Sequence, residues 1–144
     1  MEEHFRKLER MYLSARVNTQ HFPTTSVEIG KGTARIGIVV DDSYHHALNA
    51  MHGSVYFKLL DDAAFFAVSS LVRDVFVLTT SFNLNMIRPH VSGPIYAEGK
   101  VRFSSKEIYT AESVLYNQAG KELAFGTGNF AKSKVGLSSD IGYV

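Results

Sequence analysis

Hydrophobic and polar positions alternate with three different rhythms along the chain, and each rhythm predicts an element. From Glu2 to about Arg16 the apolar residues Phe5, Leu8, Tyr12 and Leu13 fall near helical spacing with charges between them, which predicts an amphipathic helix. Val17 to Thr25 contains Pro23 and reads as a loop. In Ser26 to Val40, Val27 and Ile29 alternate before Gly30-Lys31-Gly32, and Ala34, Ile36 and Ile38 alternate after it, so two short strands around a glycine turn are expected. The polar stretch DDSYHHALNAMHG follows, long for a connection and holding His45, His46 and His52; loops of that length in compact domains are often functional.

Ser54 to Leu71, SVYFKLLDDAAFFAVSSL, is the most informative segment. At 100° per residue its apolar side chains cover most of the circumference, leaving a narrow polar stripe of Ser54, Lys58, Asp61, Asp62 and Ser69. A helix apolar nearly all round needs a wrapper. The remaining sequence offers strands at Val75–Arg88, around Ile95–Phe103, at Ile108–Tyr116 and at Leu123–Ala131, with Asn117–Gly120 as a hairpin turn and Pro89 and Pro94 bracketing a bend. A meander of these four strands is the simplest arrangement, and the tail after Lys132 reads as loosely held. The expectation is an α+β domain: a curved antiparallel sheet around one long helix, with a face or edge left for a second subunit.

Composition narrows the chemistry. The chain has 144 residues, the size of one domain, with a helix over about 2–16, a core over about 26–132 and a short tail. A formal charge of +1 gives no footprint for nucleic acid or an anionic membrane surface. The absence of cysteine excludes disulfides, thiolate metal sites and Cys nucleophiles. No long uncharged apolar run and no signal-like N-terminus occur, so a soluble cytoplasmic protein is expected. Adjacent His45 and His46, with His52 six residues on, lack zinc-ligand spacing, so no metal is expected. No serine sits in a G-x-S-x-G setting, and Gly30-Lys31-Gly32 lacks the rest of a phosphate loop.

Candidate catalytic groups remain on and before the long helix. Asp61 lies at the edge of the polar stripe, one turn from Phe57 and Phe65 and near Val68. Burial there raises a carboxylate's pKa and makes it a usable general base. The residues alone leave open a solvent-facing carboxylate or a pair with Lys58; for Asp62, four residues from Lys58, an ion pair is the expected state. His52-Gly53-Ser54 precedes the helix, where free N–H groups favour developing negative charge. The same residues also read simply as helix entry, with Ser54 as the cap.

The run Asn49 to Ala63, N-A-M-H-G-S-V-Y-F-K-L-L-D-D-A, with Thr79 to Pro89, T-T-S-F-N-L-N-M-I-R-P, resembles the signature of phenylacetyl-CoA-type (PaaI-like) hotdog thioesterases. Their pattern is a loop ending in His-Gly-Gly, then a long helix with an Asp eight residues after the first of those glycines; Gly53 and Asp61 keep that spacing. The resemblance, over about residues 30–132, implies the hotdog fold and hydrolysis of an acyl-CoA, with coenzyme A as part of the substrate and no other cofactor. It implies Asp61 as the base that activates water, or as the nucleophile, and the Gly53 N–H as the group that polarises the thioester carbonyl. Thr79 would help position the water, and His52 would shape the loop. It also implies a homodimer with sites between subunits, often paired into a homotetramer. Three positions depart from the pattern: His46 for an Asn, Asn49 for a Gly, and Ser54 for the second Gly. His46 could replace the Asn as a hydrogen-bonding group. Asn49, Ser54, Phe57, Phe65 and Arg88 are the candidate substrate contacts, with Arg102, Lys106, Lys132 and Lys134 as further cations for the CoA phosphates. The departures keep two alternatives open: an acyl-CoA-binding module without turnover, and hydratase chemistry on the same fold.

Overall fold

The computed structural model describes residues 2–144. Helix α1 (Glu2–Ser14) and a short α2 (Arg16–His21) lead into strands β1 (Ser26–Gly30) and β2 (Thr33–Val40). The loop 41–52 follows, then the long α3 (Gly53–Ser69) and strands β3 (Val75–Met86), β4 (Gly93–Ser104), β5 (Ile108–Asn117) and β6 (Glu122–Gly136). One antiparallel sheet holds all six strands in the order β1-β2-β4-β5-β6-β3 and curves around α3. A curved sheet around one helix is what the apolar circumference of the helix predicts, and it is the hotdog fold that the resemblance implies: Leu59, Leu60, Ala63, Ala64, Ala67 and Val68 are fully buried.

Small residues set how closely helix and sheet approach. At Gly99 on β4, an added Cβ would lie 2.2 Å from the Ala63 carbonyl oxygen, so only glycine admits α3 at this depth. On β6, Gly126 and Gly128 leave room for the Phe82 ring, which would stand 2.6 and 2.5 Å from added Cβ atoms. The β1–β2 turn needs Gly32 at φ +71°, and the β5–β6 turn needs Gly120 at φ +84°, as the glycines there suggest.

Four expectations are corrected. The predicted loop Val17–Thr25 begins as helix: buried Asn18 donates its side-chain amide to the Tyr12 carbonyl and anchors α2. The last four strands are not a simple meander, because β3 pairs with β6 at the sheet edge and not with β4. Local alternation cannot distinguish these pairings, since either buries the same face. The segment after Lys132 is not loose: β6 continues to Gly136, the Tyr143 hydroxyl and the Ser69 carbonyl both bond the ring of buried His4, and Arg10 donates to the Val144 carbonyl. In α1, Met11 is buried where Leu13 was expected, and Leu13 is exposed.

The two sheet edges differ. Beyond β1, α1 supplies side chains that occupy the edge backbone: Glu9 accepts from the Ile29 N–H at 2.8 Å and Arg6 donates to the Ile29 carbonyl at 2.8 Å. Beyond β3, a 12-residue strand, no further strand lies among the described residues. No helix among them is long and apolar enough to cross a membrane.

Candidate active site

Loop 41–52 delivers the chain to the start of α3 through its own hydrogen bonds. His46 N–H bonds the Ala50 carbonyl, Met51 N–H the His90 carbonyl and His52 N–H the Tyr44 carbonyl. Tyr44 is held by its hydroxyl on the His21 carbonyl at 2.6 Å and by stacking on Phe22, 4.9 Å away. Asn49 stands at φ +60°, a conformation most side chains avoid and asparagine tolerates. That accounts for asparagine where the family pattern carries glycine.

The helix cap is His52, which corrects the sequence expectation of Ser54 in that role. His52 Nδ1 accepts the Ser54 N–H at 3.0 Å and lies 2.8 Å from the Ser54 hydroxyl. The imidazole thus takes the N–H of the second helical residue, one of the orphan donors at the helix start. The Gly53 N–H, by contrast, bonds no group among the described residues. It borders a cleft of about 360 Å³ lined by His46, Met51, Gly53, Tyr56, Met86 and Arg88 among others. An added Cβ at Gly53 would lie 3.3 Å from the Met86 sulfur. The Arg88 guanidinium donates to the Glu122 carbonyl, and its own carbonyl accepts from the Tyr56 hydroxyl. The three loop histidines diverge: His45 bonds the Val91 carbonyl, His46 accepts the Leu48 N–H, and His52 caps α3.

Asp61 projects from the middle of α3 toward β3, where Thr79 Oγ1 donates to its Oδ1 at 2.9 Å. Burial is the main cause that lifts its carboxyl to about pH 6; the Thr79 hydrogen bond opposes the rise, the neighbouring Asp62 adds to it, and Lys58 lowers it. The carboxyl is therefore ionised at neutral pH and still basic enough to take a proton. Asp62 behaves as the spacing suggests, paired with Lys58 at 2.8 Å. Lys58 thus does not take Asp61, which settles the alternative left open by the sequence.

The surrounding apolar residues separate. Phe65 lines a cavity of about 410 Å³ between the N-terminal helices, α3 and the ends of β3 and β6, together with Phe66, Phe76, Leu78 and Val135. Lys58 and Asp62 also line it. Phe57 lies elsewhere, half exposed and edge-on to Phe82 at 5.7 Å. Val68, also near Asp61 in sequence, is fully buried and is not among the residues that line this cavity. Arg102 pairs with Glu112 across β4 and β5.

Within one chain Asp61 and Gly53 do not meet. Eight residues at 1.5 Å rise separate them by about 12 Å along α3, while a water and the carbonyl it attacks are in contact. The chain holds an oriented carboxylate and, among the described residues, a free N–H at a helix N-terminus, and does not bring the two together. Groups that sequence reasoning missed are Tyr12, Asn18, Tyr56 and Met86. Tyr12 entered the sequence reading only as an apolar position of the first helix and Asn18 only as part of a predicted loop; their side-chain partners follow from tertiary packing.

No curated protein sequence matches the chain. Among solved structures, the E. coli PaaI protein from the phenylacetic acid degradation operon superposes with a TM-score of 0.84 at 18% identity, over 95% of this chain and 98% of that one. Zebrafish thioesterase superfamily member 2 superposes with 0.78 at 15% identity, over 90% and 98%. A phenylacetic acid degradation-related protein from Ralstonia eutropha superposes with 0.77 at 17% identity, over 89% and 98%. At such identities these likenesses establish the fold. The sequence model of the thioesterase superfamily matches residues 48–124, more than half of the 144, and spans loop, central helix and strands alike. The chain belongs to the thioesterase superfamily.

Proposed function

We propose that this protein hydrolyses an acyl-CoA thioester, with Asp61 as the general base that removes a proton from the attacking water. The observation that carries this reading is the state of Asp61: half-buried, bonded to a neutral hydroxyl, without a cation of its own, and titrating near pH 6. Thr79 keeps the carboxylate oriented through Oδ1 and leaves its second oxygen free to accept from water. The Gly53 N–H, at the positive end of α3, stabilises the oxyanion as the carbonyl turns tetrahedral. Collapse of that intermediate expels the CoA thiolate and leaves the free acid. The acyl or aryl group occupies the cavity lined by Phe65, Phe76 and Leu78, residues that neighbour Asp61 along α3 and Thr79 along β3.

The working unit on this reading is a homodimer. The gap of about 12 Å between Gly53 and Asp61 along one helix supports a site shared by two chains. So does the contrast between the edges: the Glu9 and Arg6 side chains block β1, while β3 offers a long row of unpaired backbone groups. Two copies joined at β3 would run one sheet through both and lay the two central helices side by side.

The test is release of free thiol from short, long and aromatic acyl-CoAs. Wild-type turnover is expected, with an acid limb near pH 6, and Asp61→Asn is expected to lose at least about 100-fold, a typical contribution of a positioned base. Turnover that survives in Asp61→Asn removes this residue from the mechanism. Binding of acyl-CoA without turnover in the wild type points to a binding module.

A further inference from the structure

Asp61 has a cation within reach that it does not use. Lys58 precedes Asp61 by three residues and Asp62 by four, and both spacings place side chains side by side on a helix. The ammonium has three N–H donors, and all three are taken: Asp62 Oδ2 at 2.8 Å, Asn18 Oδ1 at 2.8 Å and Tyr12 Oη at 3.1 Å. Tyr12 Oη in turn donates to Asp62 Oδ2 at 2.6 Å. Asn18 is 2% exposed, and its amide group is fixed by donation to the Tyr12 carbonyl. The rings of Phe22 and Tyr12 lie 4.5 and 5.1 Å from the same ammonium. α1, α2 and Phe22, the residue that closes α2, thus provide two of the three acceptors and both rings. These helices precede the stretch matched by the superfamily, residues 48–124.

We propose that Tyr12 and Asn18 are positioning residues for the reaction: with Asp62 they hold Lys58 away from Asp61 and so keep that carboxylate free of a cationic partner. This rests on Asp61 as the base. A Lys58 ammonium released from its clamp would swing to Asp61, one helical turn away, and favour the ionised carboxylate. The resulting base is weaker, and its charge is bound to a cation when the water needs it. The groups acting on Asp61 are Asp62 and Lys58 on α3 and the neutral Thr79 hydroxyl on β3. From α1, Tyr12 senses Asp61 in return and is kept protonated by burial and by Asp62. The N-terminal helices therefore do more than cover the core: they assign a cation to one of two adjacent carboxylates.

The test follows the Asp61 carboxyl directly, by NMR titration of protein labelled with ¹³C at the aspartate carboxyl, alongside the pH profile of kcat/KM. Tyr12→Phe and Asn18→Leu are expected to lower the Asp61 pKa and the acid limb together by about one unit or more, the effect of an opposite charge within reach. In a Lys58→Met background neither substitution shifts Asp61 further, since no cation is left to move. Should Asn18→Leu fail to fold, Lys58→Arg replaces it: a planar fork cannot meet three acceptors set around a point charge, and the Asp61 pKa falls likewise. An Asp61 pKa unmoved in the folded variants overturns the proposal, as does an equal fall with and without Lys58. Full turnover in Asp61→Asn would instead overturn the assignment of the base, and the NMR titration would still decide the clamp.

Discussion

A carboxylate kept half-buried without a counter-ion is held against its preference. Burial lifts the Asp61 carboxyl to about 6 from the 3.8 of a solvated aspartate, so between those pH values the folded chain binds more protons at this site than the unfolded chain. Stability contributed by the group is therefore present at low pH and declines as pH rises toward 6. Asp61→Asn keeps an oxygen to accept from Thr79 and removes the charge. At pH 7.5 it is expected to be more stable than wild type by about 1–2 kcal/mol, discounted for partial exposure, with the difference shrinking by pH 4. Denaturant unfolding at the two pH values checks this; a variant less stable at pH 7.5 would mean that the carboxylate is already paired. Gly53 permits an equally local test. His52 at φ −65° and ψ 145° has the extended backbone that precedes proline comfortably, and Gly53 occupies the first helical position, where proline is favoured. Gly53→Pro thus removes one N–H with little damage to the helix, and Gly53→Ala controls for the contact with Met86. Turnover is expected to fall by about 100- to 1,000-fold in the proline variant, the usual cost of an oxyanion donor, and far less in the alanine variant. Equal losses in the two variants would assign the effect to crowding at Met86.

At the scale of elements, what the sequence discloses depends on whether a pattern is local. The α3 helix was legible because its period is its own, and with it the placement of Gly53 at the helix entry and Asp61 in its middle. The pairing of β3 with β6 was not legible, since strand partners are chosen by long-range closure. Nor were the roles of Asn18 and Tyr12, whose partners lie 40 and 46 residues away on Lys58. Asn49 looked like a departure from the family pattern until its φ of +60° showed what glycine and asparagine share. The crossing of α3 and β4 at Gly99 was equally hidden, because the sequence shows a glycine but not the carbonyl above it. Gly99→Ala places a Cβ 2.2 Å from the Ala63 oxygen, a backbone atom that cannot turn aside. The variant is expected to lose about 3 kcal/mol or more, at the upper end of overpacking costs. Thermal unfolding measures the loss, and a change under about 0.5 kcal/mol, the range of an ordinary surface substitution, would mean that helix and sheet separate there at little cost.

For the whole molecule, the two halves of the site and the two sheet edges make one argument. An enzyme that kept Gly53 and Asp61 for the same substrate within one chain would need them closer than a rigid α3 allows; an enzyme that shares them needs a mating edge, and β3 is the edge left unguarded. The consequence is complementation between inactive chains. Gly53→Pro retains the carboxylate and loses the donor, and Asp61→Asn retains the donor and loses the carboxylate. Each homodimer is then defective at both sites, while a heterodimer contains one site with both defects and one with neither. Unfolding and refolding an equal mixture yields about half heterodimers by random pairing, so that about one quarter of wild-type turnover should return in a C2 dimer. Recovery near that level, absent when the two proteins are mixed without exchange of subunits, ties donor and base to different chains. Refolded mixtures that exchange subunits and stay inactive place both groups in one chain's site, which requires the helix entry to bend back toward Asp61 when substrate binds.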